Sequence, residues 1–330
     1  MTAAVDRFMR VLTLESAAEL RDVNRELGEE PQRCLTVAAL ALGAAPMPPQ
    51  DAANIDLVLA EGAPEDESAA NLPLVVVPNL AGALKELERA LEARPHTAAV
   101  LARLLRTTAD LPLEAALEIE SLAYGTLLGG AEFADWLARR GSAGSQTPGP
   151  DPVLLQRDRD SLTITLNDPK RHNAYSAHMR DALLEALAVP LLDDSITSVE
   201  LRGAGKSLCS GADLGEFGQS RDLPAAHLLR TQQHVGRALA NLGGKVHVRA
   251  HGACIGAGIE IPAFAARITA ATGAFFRLPE LSMGLIPGAG GTVSIPRRIG
   301  RWRTLYMVLS GVDIRAARAV RWGLADALEP

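Results

Sequence analysis

Residues 141–152 read GSAGSQTPGPDP, a run with neither the alternation of a strand nor the repeat of a helix, and built from residues that resist ordering. A run of that kind divides a chain, because each flank must then bury its own apolar pattern. Residues 142–152 are accordingly expected to link an N-terminal region, 1–141, to a C-terminal domain, 153–330. After the break, Val153–Asp158 and Leu162–Asn167 are strand-like around Arg159 and Asp160, the pattern of a hairpin. Ser176–Leu187 reads as a helix with Ser176 as its N-cap. Ser198–Arg202 alternates like a strand and runs into the glycine-rich Gly203–Gly211. A helical pattern follows over Ala225–Leu242, then a strand, Val246–Ala250, leading to Gly252, Gly256 and Gly258. Strands alternating with helices predict an α/β domain.

Before the break the pattern changes. Glu15–Leu27 reads as a helix, and Cys34–Leu42, Ile55–Leu59 and Leu72–Val77 are apolar runs of strand length. Leu80–Arg140 reads as three or four consecutive helices, interrupted at Pro95, at Asp110–Pro112 and at Gly129–Gly130, with Phe133, Trp136 and Leu137 on one face of the last. The N-terminal region is therefore expected to be mostly helical. Taken alone, its helices suggest nothing beyond packing or oligomerisation.

Composition limits the partners. The 330 residues are 48% hydrophobic, enough for a sizeable core, but only 4% aromatic, so that core must be Ala, Leu, Val and Ile. A net charge of −6 argues against nucleic-acid binding, which needs a basic surface to displace counterions. It leaves room for an anionic small ligand held by one local basic cluster. MTAAVDRFMR lacks the basic-then-apolar order of a secretory leader, and Cys34–Pro49 is too short and too rich in proline to cross a bilayer. Cys34, Cys209 and Cys254 fit no disulfide framework, and His172, His247 and His251 have no metal-ligand spacing. The expectation is a reduced, cytoplasmic protein with no membrane or nucleic-acid partner.

Three segments in the C-terminal domain carry potential chemistry. Gly205–Asp213, GKSLCSGAD, has small residues after a strand that let backbone N–H groups face a ligand. His251–Glu260, HGACIGAGIE, passes from a strand through glycines into a helix start, which suits an anion or a developing oxyanion. Leu278–Glu280 sets a carboxylate beside the glycine-rich Gly284–Thr292. Singly each is weak: a glycine-rich turn is usually only a turn, and Glu260 and Glu280 could be ordinary surface carboxylates. None matches a phosphate-binding loop or a dinucleotide fingerprint.

In combination and order they resemble the enoyl-CoA hydratase/isomerase (crotonase) superfamily. The resemblance starts at Ile164–Ala174, with its N-x-P-x-x-x-N-A pattern. It continues through Ser210–Asp213 (SGAD), the G-x-G-x-E run ending at Glu260, Pro279–Glu280, Ile286–Thr292 (IPGAGGT) and Leu309–Gly311, and ends at the Gly-Leu-Ala stretch closing on Ala325. Departures are Ala266, where many members have Asp, the Arg277–Leu278 pair before Pro-Glu, and a strand at Val246 without the usual Lys-Pro start.

The resemblance implies a ββα spiral core over about residues 153–328 and a reaction on an acyl-coenzyme A thioester, with no cofactor beyond the coenzyme A of the substrate. Carried over by residue, the backbone N–H groups of Ser210 and Ala257 would hold the thioester oxygen. Glu260 and Glu280, twenty residues apart, would activate water for addition across the α,β-double bond. Lys170, Arg171, Ala174 and Ala212 would grip coenzyme A, though the two basic residues could equally be solvated. Cys209 and Cys254 read as small packing residues. Hydration is the leading expectation. The alternatives are another crotonase reaction (isomerisation, thioester hydrolysis, or oxygenation as in dihydroxyphenylacetyl-CoA dioxygenase) or a non-catalytic acyl-CoA or partner-binding member. Relatives usually assemble as trimers or dimers of trimers, so the same is expected here.

In the family, further helices follow the Gly-Leu-Ala stretch. Similar helices stand here before the linker: Leu80–Arg94 after Val77-Pro78-Asn79, Pro95–Arg106, Leu113–Glu118 and Glu132–Arg140. Residues 73–141 are therefore expected to take the place of the family's C-terminal helices, on their own chain or on a neighbour, as in a circular permutation or a tandem fusion whose first copy has decayed. Residues 1–70 would be the remnant of that copy.

Overall fold

A computed structural model describes residues 8–28, 34–40, 48–68, 73–141, 149, 151–220 and 222–329. The expected linker lies mostly outside the described residues. Residues 9–77 hold the strand-length runs of the mostly helical N-terminal region, joined by a further strand at its start. They form a parallel sheet of β1 (Met9–Leu14), β2 (Leu35–Leu40), β3 (Leu57–Glu61) and β4 (Leu74–Val77), ordered as in the sequence, with α1 (Ala17–Gly28) between the first two strands. The reason is burial on both faces: every residue of β2, LTVAAL, is buried, and a short run apolar throughout is the signature of a covered parallel strand.

Helices dominate only afterwards, as α2 (Leu80–Ala93), α3 (Pro95–Thr107), α4 (Leu113–Leu128) and α5 (Ala131–Arg140), with breaks where the prolines and glycines set them. Asn79 caps α2 by accepting from the Gly82 N–H at 2.8 Å. Glu132 of α5 accepts from the His96 and Thr97 N–H groups at 2.8 and 3.1 Å, tying α5 to the unsatisfied first turn of α3.

The C-terminal domain opens with the expected hairpin, β5 (Val153–Asp158) and β6 (Ser161–Leu166). Helix α6 (Ala177–Leu192) follows, with Ser176 Oγ accepting from Met179 N–H at 3.2 Å. After β7 (Ser198–Gly203), the single helix expected over Ala225–Leu242 is two, α7 (Leu223–Gln232) and α8 (Val235–Asn241). Between them His234 leaves helical geometry and caps α8 through Nδ1, which accepts from Arg237 N–H at 3.1 Å. Then come β8 (Val246–Ala250), β9 (Ala253–Ile255), α9 (Ala257–Glu260), β10 (Arg267–Ala271), β11 (Phe275–Arg277), α10 (Gly291–Ser310), β12 (Ile314–Arg315), α11 (Ala316–Trp322) and β13 (Ala327–Glu329). The larger sheet runs β13-β10-β8-β7-β6-β5, parallel except for the β5–β6 pair, and β12-β11-β9 form a small second layer.

One continuous core joins the two regions, from Val37, Leu59 and Val75 through Leu91 and Leu101 to Ile164, Leu201 and Val248. Helix α10 fastens them. It breaks at Gly300 (φ 78°, ψ 158°), and the residues after the break turn onto the first sheet. Arg301 Nη2 donates to the carbonyls of Ala52, Ala53 and Ile55 at 3.1, 2.6 and 3.0 Å, Trp302 Nε1 to those of Ala52 and Ile55, and Arg303 to those of Ser68 and Leu74. Arg303 is fully buried. A guanidinium tolerates that environment because its N–H groups meet carbonyl dipoles and it lies against the Trp322 ring, 5.4 Å from its centroid.

Candidate active site

The loop over Pro169–Ala174 is knitted to the glycine-rich loop after β7 by a residue that sequence reasoning noticed only as part of a motif. Asn173 is fully buried with φ 55°, and its Nδ2 donates to the carbonyls of Ala204, Ser207 and Leu208 at 2.9–3.1 Å, while Oδ1 accepts from Asp168 N–H at 2.8 Å. An amide is the only uncharged side chain that offers both a double donor and an acceptor to backbone in this way. Asn173 thereby fixes the loop that carries Ser210 and Ala212.

The expectation for Ser210 is corrected here. Its N–H donates to the His172 carbonyl at 3.0 Å, so it has no hydrogen to offer a ligand. Two residues on, the Ala212 N–H has no acceptor among the described residues, and neither has that of Ala257, the first residue of α9; both residues line one cavity. The expectation for Arg171 changes too. Its guanidinium pairs with Asp168 at 3.4 Å and with Asp213, and it is largely buried, so its charge is compensated inside the loop. Lys170 is exposed and Ala174 half-buried; neither they nor Arg171 line the cavity.

Glu260 and Glu280 do come together. Both are buried, and both face Gly256, where a Cβ would fall 2.6 Å from Glu280 Oε1 and 3.7 Å from Glu260 Oε1. Gly256 also sits at φ 50°, so both its conformation and the space around it require glycine. Glu260 Oε2 accepts from the N–H groups of Ala289 and Gly291 at 2.7 and 3.0 Å, and a Cβ at Gly291 would come within 2.5 Å of Glu260 Cγ. Glu280 Oε2 is buried without a partner among the described residues. Burial pushes the Glu280 carboxyl up to about 8. Burial, then the charges of Glu280 and Glu120, hold Glu260 well above the usual carboxylate range.

Glu120 went unnoticed in the sequence. It lies on α4, 2% exposed, and accepts from Gly290 N–H at 2.8 Å, Thr292 N–H at 2.9 Å and Thr292 Oγ1 at 2.6 Å. Four successive amides at the start of α10, 289–292, thus bond alternately to Glu260 and Glu120. Burial raises the Glu120 carboxyl to about 7. Its only signal in the sequence is a carboxylate inside an apolar helical pattern. Helix α5 supports the other glutamate: Arg94 donates to the Ser282 carbonyl and pairs with Asp135, and a Cβ at Gly284 would strike the Glu132–Phe133 backbone.

The cavity, about 630 Å³, is lined mainly by apolar groups, among them Leu128, Phe133, Trp136 and Phe217. Phe133, Trp136 and Phe217 pack ring to ring, with centroids 5.8–6.3 Å apart. Cys209 and Cys254 are buried and unbridged, and burial pushes the Cys209 thiol up to about 12, as expected of packing residues. No cluster of metal-binding side chains occurs among the described residues, and no helix there is long and apolar enough to cross a membrane.

Buried paired carboxylates stand beside free amides on a strand–strand–helix core, and comparison with known proteins gives the family. The enoyl-CoA hydratase/isomerase family matches residues 158–330, and the chain belongs to it. The chain is 33% identical over 176 residues to 1,2-epoxyphenylacetyl-CoA isomerase of Escherichia coli K12, covering 52% of this chain and 67% of that one. It is 32% identical over 178 residues to 2,3-dehydroadipyl-CoA hydratase of the same strain, covering 54% and 69%. Among solved structures it resembles an enoyl-CoA hydratase of Mycobacterium smegmatis, with TM-score 0.50 and 32% identity over 54% of this chain and 69% of that one. Membership supports a crotonase-type reaction on an acyl-CoA thioester, and the fold is the crotonase-like α/β core of such neighbours.

Proposed function

We propose that the protein hydrates an α,β-unsaturated acyl-CoA. The observation that carries this reading is the convergence of two proton-holding carboxyls, Glu260 and Glu280, on one glycine beside two free amides. The thioester oxygen accepts from the N–H groups of Ala212 and Ala257, where Ala212 replaces Ser210. These donors stabilise the enolate that forms as water adds, an effect worth about 3 kcal/mol per donor in comparable sites. With the pair holding one proton near neutral pH, one carboxylate takes a proton from water as it attacks the β-carbon, and the other carboxyl gives one to the α-carbon. Glu260, pinned by two amides, is the fixed member; Glu280, with an unbonded oxygen, is the member free to exchange protons. Lys170, exposed beside the loop, is assigned to the phosphates of coenzyme A, with the Ala174 backbone beside it.

The same reading gives α2–α5 the place of the family's C-terminal helices on their own chain. What supports it is that α4 delivers Glu120 to the turn holding Glu260, and α5 packs on the turn holding Glu280. Double-bond isomerisation is the second reading, favoured by the unbonded Glu280 oxygen, since one mobile carboxyl can carry a proton between two carbons. Loss of the enoyl-thioester absorbance of crotonyl-CoA tests the first. Hydration abolished in both Glu260→Gln and Glu280→Gln is expected. Isomerase turnover of a 3-enoyl-CoA with no hydration, surviving in Glu260→Gln, would establish the second instead.

A further inference from the structure

The cavity is apolar over most of its wall but not at the junction of α7 and α8. There Arg230 donates through Nε and Nη2 to the Ser121 hydroxyl and carbonyl at 3.2 and 3.4 Å. Its Nη1 has no acceptor, and it forms no ion pair among the described residues. The other arginine of the lining, Arg180, is paired with Asp181. Arg230 instead lies over the Tyr124 ring, 5.0 Å from the centroid, and the Tyr124 hydroxyl has no hydrogen-bond partner among the described residues. Four residues on, His234 accepts a backbone N–H at Nδ1, which leaves Nε2 as the protonated nitrogen of a neutral ring. Burial lowers this imidazole to about 4, so it stays neutral. Gln233 also lines the cavity, with its carboxamide oxygen buried and without a donor. That amide loses nothing by turning its NH2 toward a ligand.

Glu120 is one candidate to neutralise Arg230, since its charge favours the guanidinium. Its oxygens, however, are engaged by Gly290 and Thr292. Among the described residues the Nη1 of a half-buried guanidinium, a neutral imidazole N–H and a phenol therefore line one mainly apolar chamber with no acceptor. A methyl-ended acyl chain would seal those donors off unsatisfied, whereas a carboxylate would satisfy them with charge-assisted bonds.

We infer that this end of the cavity, formed by Arg230, His234 and Tyr124, recognises an anionic oxygen, and that the substrates are acyl-CoA thioesters whose acyl chain ends in a carboxylate. The inference rests on the acyl thioester occupying this cavity, as proposed above, but not on which reaction follows.

Calorimetric titration with saturated thioesters separates the two, because binding needs no turnover. The pairs are butanoyl- and succinyl-CoA, hexanoyl- and adipyl-CoA, and octanoyl- and suberyl-CoA, tested on the full-length protein. The wild type is expected to bind the carboxylate-ended member of at least one pair about tenfold or more tighter. Arg230→Met should erase that preference. Tyr124→Phe, which keeps the ring and does not touch the Arg230–Ser121 contact, should reduce it by a smaller factor and guards against misfolding of the first variant. Equal or tighter binding of the methyl-ended member in every pair overturns the inference, as does a preference that survives Arg230→Met. Absence of hydration alongside an intact carboxylate preference removes only the hydratase reading. Binding of no acyl-CoA at all removes both.

Discussion

Two runs of parallel strands invite comparison, β1–β4 and β6-β7-β8-β10, and only the second leads into the turns that line the cavity. Beyond β7 and β8 the chain enters glycine-rich turns that leave the amides of Ala212 and Ala257 unbonded. Beside the first sheet the exposed groups are carbonyls, at Ala52–Ile55 and Ser68, and Arg301, Trp302 and Arg303 fill them. A loop that leaves donors free toward an apolar cavity is a place for an anionic ligand; a loop whose acceptors are already satisfied is a packing surface. The difference lies in small residues and a few buried arginines rather than in strand topology.

The comparison breaks first at the glutamates. Glu280→Gln is expected to lower turnover of an enoyl-CoA by a factor on the order of 10³ without loss of fold, checked by steady-state kinetics beside circular dichroism. Next is the packing surface. Trp302→Ala should cost about 3 kcal/mol of stability through lost burial and unfilled carbonyls, read from the urea midpoint, yet leave activity per folded molecule unchanged. A fall in activity at full folding would mean that the first sheet shapes the site after all.

Glu120→Gln comes third. Losing a cap on the turn that holds Glu260 should reduce kcat by about tenfold with KM little changed. Because the Glu120 charge helps raise the Glu260 carboxyl, its removal should move the corresponding limb of the pH–rate profile to lower pH. Stability supplies the fourth. Glu280 is raised from 4.5 to about 8 in the fold, so its contribution is full below about pH 4.5 and fades as pH rises through 8. Thermal midpoints should decline over that window and decline less in Glu280→Gln. The smallest effect is Ser210→Ala, expected to keep turnover within about twofold, since the hydroxyl it removes makes only a long bond to the Arg171 carbonyl, 3.4 Å.

Much of the C-terminal architecture was legible because it depends on local signals: the β5–β6 hairpin, the Ser176 cap, and the succession of glycines that brings Glu260 and Glu280 to Gly256. Ser210 was carried over from the family resemblance as a free amide, and a resemblance does not reveal which of several amides in GKSLCSGAD is already bonded; that is decided by the His172 carbonyl, a neighbour from another loop. Arg171 was misread for the same reason, its partner Asp213 lying 42 residues away. In the sheet over residues 9–77, β2, β3 and β4 were visible as apolar runs of strand length, whereas β1, MRVLTL, has no flanking turn that marks it. Glu120 gave only the weak sign of a carboxylate in an apolar helical pattern, because the amides that give it meaning are far along the chain.

That last separation bears on how the protein is made. The partners of Glu120 are synthesised 170 and 172 residues after it, so α4 leaves the ribosome with a carboxylate on a face destined for the interior and nothing to receive it. No nascent chain shorter than about residue 292 can assemble the turn on which Glu260 and Glu120 interleave. Until then the early helices must remain hydrated or shielded, and activity should appear during translation in a single late step.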